Sequence, residues 1–65
     1  MNQQTQKPRI LIVEDDASIA AGLRLNLRHE GFDVVVKIDG EAGLREVFAA
    51  HYDLVLLDVM LPVMN

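Results

Sequence analysis

Ile10-Leu11-Ile12-Val13-Glu14-Asp15-Asp16 is a run of four apolar residues that ends in three carboxylates. A short, continuously apolar, β-branched run of this kind is the pattern of a strand buried on both faces, and it predicts a strand over residues 9–14. A second run, Leu54-Val55-Leu56-Leu57, ends the same way in Asp58 and predicts a strand over 53–58. If both are parallel strands of one sheet, their C-terminal ends bring the acids to one edge. Crowded like charges cost free energy unless a cation or a proton offsets them. Such a cluster reads as a site.

The residues between the two runs supply what a parallel pair requires. Asp16 stands before an apolar-periodic segment and predicts a helix cap. Ile19, Leu23 and Leu27 recur at spacing four as one stripe with Ala20 beside it, while Arg24, Arg28 and Glu30 lie off it. Gly31 falls where a left-handed C-terminal cap is wanted, with Phe32 placed to make the accompanying apolar contact. Val34-Val35-Val36 predicts a middle strand. Asp39-Gly40-Glu41 opens a second helix whose Leu44, Val47 and Phe48 share a face. Gly43 inside that helix costs about 1 kcal/mol relative to alanine. Pro62 terminates the segment after the last strand, because its ring displaces Leu61 from helical geometry.

The order is therefore β-α-β-α-β, with linkers short enough only for a compact α/β unit. With right-handed crossovers and the first strand in the middle, the order is 2-1-3 and one helix covers each face. Open sheets of this flavodoxin-like kind bind ligands at the crevice where the strand order reverses. Here that crevice holds Glu14, Asp15 and Asp58.

Composition narrows the class. At 65 residues the chain is at most one small domain, and such a domain buries only roughly 60% of its unfolded surface. No cysteine is present, which removes disulfides and thiolate metal sites and fits a reducing cytosol. A hydrophobic content of 51% argues for a packed core. The net charge of −4 argues against a general nucleic-acid binder. No apolar stretch approaches a membrane span. Met1 to Lys7 is polar and lacks a signal-peptide core. Residues 1–8 read as a disordered lead-in, and the whole as a soluble cytoplasmic protein.

Oxygen-only donors suit a hard cation, and Mg2+ is commonly held by one or two carboxylates plus waters and a phosphate group. A carboxylate can also attack phosphorus to give an aspartyl phosphate. Asp58 stands alone at its strand end and is the natural nucleophile; Glu14 and Asp15 are the natural metal acids. Each acid taken singly has a plainer explanation. Asp16 is most simply a cap, and a lone strand-end Asp is usually a turn residue. The repetition of apolar run plus acid, with two helices between, is what carries weight. His29 and His51 have no partner at metal spacing and read as solvated, and Met60 and Met64 read as packing. Gly40 and Gly43 lack the third glycine and the lysine of a phosphate loop.

The string from Ile10 to Asp16, together with Leu56-Leu57-Asp58-Val59-Met60-Leu61-Pro62, resembles the receiver domain of two-component response regulators. The resemblance covers residues 9–65, and Gly31-Phe32 and Asp39-Gly40 fall at that family's turns. It implies that Asp58 accepts a phosphoryl group from a histidine kinase. It implies that Asp15 binds Mg2+ directly, that Glu14 acts largely through metal-bound water, and that the Met60 backbone carbonyl is a further ligand beside Asp58. Met60-Leu61-Pro62 and Met64-Asn65 resemble the branch that carries a winged-helix DNA-binding output domain. The switch would be a signalling device rather than an enzyme.

The chain also departs from that family. A complete receiver has five strands, with a Ser or Thr ending the fourth and a Lys ending the fifth, and both fall outside these 65 residues. The glycine expected after Met64-Asn65 is absent, and Gly43 stands where alanine is commoner. The expectation is thus the N-terminal half of a receiver, impaired in phosphorylation by itself, associating through an exposed third-strand edge. The alternatives are a phosphorylation-incompetent half-domain whose only property is self-association through strand three, and an aspartyl-nucleophile phosphotransferase or phosphatase. The haloacid-dehalogenase type places a second Asp two residues after the first; Met60 occupies that position here.

Overall fold

Residues 7–58 are described by a computed structural model of the chain. Arg9–Glu14 forms β1, Ala17–His29 α1, Asp33–Lys37 β2, Gly40–Ala49 α2 and Leu54–Asp58 β3. The three strands make one parallel sheet in the order β2-β1-β3, the flavodoxin-like β-α-β-α-β arrangement expected from the sequence. The apolar run of β1 is continuous because both its edges and both its faces are covered. Ile10, Leu11, Ile12 and Val13 are buried, and Leu11 and Ile12 have no solvent exposure. At about 1.5–3 kcal/mol per fully buried apolar side chain, β1 supplies most of the core.

Local chemistry sets the helix ends. The Asp16 side chain accepts from the Ser18 and Ile19 N–H groups at 2.9 and 3.0 Å, and Asp39 accepts from Ala42 at 2.8 Å. Both satisfy donors that a first turn leaves unpaired. At the far end of α1, the Gly31 N–H bonds to the Arg28 carbonyl and the Phe32 N–H to the Leu27 carbonyl, each at 3.0 Å. That pair is a Schellman motif. Its left-handed residue is Gly31, at φ 98°, the cap the sequence predicts.

The two helices take opposite faces of the sheet. Gly43 of α2 lies against Val13, and Lys37, level with Val13 in the sheet, reaches Glu46 of α2 at 3.7 Å. Ala17, Ala20 and Ala21 of α1 stand by Val36, which is level with Ile12. A side chain at Gly43 would place its Cβ 2.5 Å from Val13 Cγ2. Glycine there lets α2 approach β1, which accounts for a residue of poor helix propensity at that position.

Burial is uneven along both helices. Of the α1 stripe, only Ala20 is buried; Leu23 and Leu27 are half-buried, and Ile19 is 49% exposed. The helix meets the sheet through its small residues, so the larger ones sit at the flanks of the contact. On α2, Leu44, Val47 and Phe48 do not form a buried face, and Phe48 is 83% exposed. Gly43 makes the close contact instead. β3, like β2, is an edge strand of the described sheet, and its Leu54, Val55 and Leu57 are exposed.

Candidate functional site

The parallel register fixes the geometry of the acids. Glu14 is level with Asp58 across the β1–β3 pair, so the two carboxylates leave the same face of the sheet. Asp15 and Asp16 come immediately after, as the chain turns into α1. Glu14, Asp15, Asp16, Asp58 and Ile19 line one open cleft of about 450 Å³. It lies at the C-terminal end of the strands, where β1 separates the two crossovers. Three sequence-predicted site residues, Glu14, Asp15 and Asp58, are thus brought together. Met60 lies outside the described residues.

The acids differ in setting. Asp15, Asp16 and Asp58 are exposed, whereas Glu14 is 3% exposed. Glu14 Oε2 accepts the Asp16 N–H at 3.0 Å, while Oε1 is buried with no hydrogen-bond partner among the described residues. The Asp16 N–H bond favours the charged Glu14. Burial and the neighbouring carboxyls of Asp15 and Asp58 oppose it and prevail, so the Glu14 pKa lies above its ordinary value.

A buried, unpartnered carboxylate oxygen beside two exposed carboxylates is a donor set that fits a hard cation. Among the described residues no three acidic or imidazole groups converge closely enough to enclose an ion.

Asp16 holds the helix cap expected of it and also borders the cleft. Ile19 is the residue that periodicity misassigns. It falls on the apolar stripe by spacing, yet its place in the first turn beside Asp16 puts it at the mouth of the cleft. Its proximity to the acidic run in sequence is the signal that could have found it. His51 is exposed and stands 3.3 Å from Asp53, away from the acids. No helix of the described residues is long and apolar enough to cross a membrane.

Known proteins are similar to this chain in sequence. A family model described as the response regulator receiver domain matches residues 10–65. The response regulator ArlR of Staphylococcus saprophyticus is 47% identical over 57 residues, covering 88% of this chain and 26% of that protein. The DNA-binding response regulator MtrA of Mycobacterium tuberculosis is 54% identical over 61 residues, covering 94% of this chain and 27% of that protein. The chain spans about a quarter of the length of the curated relatives it matches.

Proposed function

We propose, because this chain belongs to the response regulator receiver domain family, that Asp58 accepts a phosphoryl group from the phosphohistidine of a sensor histidine kinase. The observation that carries this reading is the register Glu14↔Asp58, which sets an exposed carboxylate beside a buried acidic partner at an open cleft. An Asp58 carboxylate oxygen attacks phosphorus, the phosphorus–nitrogen bond to the donor imidazole breaks, and its electron pair returns to nitrogen, which takes up a proton. Asp58 becomes an acyl phosphate.

Asp15, Glu14 through water, Asp58 and the Met60 carbonyl would hold Mg2+, which neutralises charge on phosphoryl oxygens when bound. The Asp16 N–H holds Glu14 in place, and the Asp16 side chain anchors α1 at the cleft edge. The added negative charge biases a two-state surface read by an output domain. In the parent that output is a winged-helix transcriptional domain, and the setting is the cytoplasm. The chain acts as a switch and turns over no metabolite.

Incubation with Mg2+ and acetyl phosphate gives an acid-stable, base-labile phosphate, at the reduced extent expected of this chain by itself, and Asp58→Asn abolishes it. A label that survives this substitution overturns the assignment.

A second property rests on a separate observation. β3 is apolar from Leu54 to Leu57 and is one of the two edge strands of the described sheet. An apolar cleft of about 460 Å³, lined by Val13, Leu44, Val47, Val55 and Leu57, continues from it. A strand edge of this kind is a template for pairing, so the 65-residue chain self-associates through β3. Light scattering after size exclusion reads a dimer or larger species, and a monodisperse monomer rejects it.

A further inference from the structure

At the end of the sheet away from the acids, the chain collects its unengaged cations. Of the six lysines and arginines, Lys37 and Arg45 pair with Glu46 and Glu41, and the Arg9 guanidinium lies 4.8 Å over the Tyr52 ring. The other three, Lys7, Arg24 and Arg28, have no ion pair among the described residues. All three line one groove of about 550 Å³ together with His29, and Leu25 and Phe32 form its apolar part. α1 carries no carboxylate anywhere along its length.

Cations in the last turn, Arg28 and His29, are explained by the partial negative charge of a helix C-terminus. Arg24 lies a turn earlier and Lys7 on a different segment, so the helix end does not account for them. Nor does it account for Leu25, 71% exposed between the two arginines in sequence.

We infer that the groove beside the C-terminal half of α1 is a docking surface for an acidic polypeptide segment carrying an apolar anchor. Lys7, Arg24 and Arg28 meet its carboxylates, and Leu25 and Phe32 cover its anchor. Charge complementarity selects the sign of the partner. The apolar part formed by Leu25 and Phe32 selects peptide over nucleic acid, because it offers nothing to a phosphate backbone. The groove lies at the opposite end of the strands from Asp58, so an occupant leaves the phosphoryl site open.

The test uses the intact chain and a fluorescein-labelled peptide of alternating glutamates and leucines, with a lysine–leucine peptide and a 20-base-pair duplex as competitors. The acidic peptide binds at least about tenfold tighter than the lysine peptide and weakens as salt rises. Amide shifts in the 15N–1H spectrum then cluster at Arg24, Leu25, Arg28, His29 and Phe32. Arg24→Glu/Arg28→Glu weakens binding at least about tenfold with a dispersed spectrum and unchanged acetyl-phosphate labelling. Arg24→Gln/Arg28→Gln, a milder change at the same exposed positions, shows a smaller loss. The inference is overturned if the lysine peptide binds as well, or if neither variant changes affinity. It is also overturned if the shifts fall at the acidic cleft, or if the duplex displaces the peptide through the same arginines.

Discussion

Glu14 is the residue on which the acidic cleft turns. It sits buried beside two exposed carboxylates, with one oxygen satisfied by the Asp16 N–H and the other unpartnered among the described residues. Its pKa is raised in the fold, so the folded state binds its proton more readily than the unfolded chain does. Stability therefore falls as pH climbs from the ordinary value of 4.5 through the raised folded value. Glu14→Gln keeps the shape and an acceptor for the Asp16 N–H while removing the charge. In metal-free buffer its urea midpoint lies above wild type at neutral pH, and the gap closes below the ordinary carboxyl value. An equal gap at both pH values would show that charge crowding is not the cause. The acids themselves were readable in sequence because each ends an apolar run. Which of them is buried was not, since that depends on the facing of β1 and on how α1 covers it.

At the level of elements, Gly43 decides how α2 meets β1. Alanine in a helix interior is favoured over glycine by about 1 kcal/mol, so propensity alone makes Gly43→Ala stabilising. The structure reverses the sign. The new Cβ would stand 2.5 Å from Cγ2 and 3.1 Å from Cγ1 of Val13, a buried β-branched side chain with little rotamer freedom. Overpacking of this kind costs typically about 1–3 kcal/mol. Gly43→Ala therefore lowers the thermal midpoint, and in a Val13→Ala background the same change raises it. Additive effects in that double-mutant cycle would refute the contact.

The same close approach explains how burial is shared along the helix faces that periodicity picks out. Helical spacing finds the apolar stripe, and it cannot tell that small residues make the contact. Ala20 on α1 and Gly43 on α2 are the only buried helix residues described, while Ile19, Leu44 and Phe48 are left outside. Caps were legible because their chemistry is local. Asp16, Asp39 and Gly31 each act within a few residues of their own position.

Across the whole molecule, a polar network ties four segments together at the flank of the sheet. Glu46 of α2 takes the Tyr52 hydroxyl bond at 2.5 Å and the Lys37 ammonium at 3.7 Å. Asp53 takes the Arg9 N–H at 2.8 Å and lies 3.3 Å from His51. The Tyr52 bond, with help from Lys37, holds the Glu46 carboxyl below its ordinary range. The Arg9 N–H, with His51, does so for Asp53. Burial and the Glu46 contact push the Tyr52 hydroxyl from 10 up to about 12.

Both carboxylates contribute stability that is present above their ordinary values and is lost as pH falls through the depressed ones. Tyr52 contributes the opposite limb. Its protonated form is favoured in the fold, so stability declines as pH rises from 10 towards about 12. Tyr52→Phe removes the Glu46 bond. Its stability at neutral pH is lower, and its decline on both limbs is shallower, as circular dichroism melts across pH would show. Unchanged slopes would mean that the network does not couple these segments.

Residues read one after another carry the element order, the helix caps and the identity of the acids. Each rests on signals that neighbouring residues carry: an apolar run, a capping side chain, a glycine where left-handed backbone is needed, a carboxylate at a strand end. Only tertiary structure decided which surfaces meet. The Glu14↔Asp58 register, the burial of Glu14, the seating of Gly43 on Val13 and the gathering of Lys7, Arg24 and Arg28 into one groove all join residues distant in the chain. Their reason is geometric. Parallel pairing and close packing set distances between residues far apart in sequence, and neither propensity nor periodicity encodes those distances.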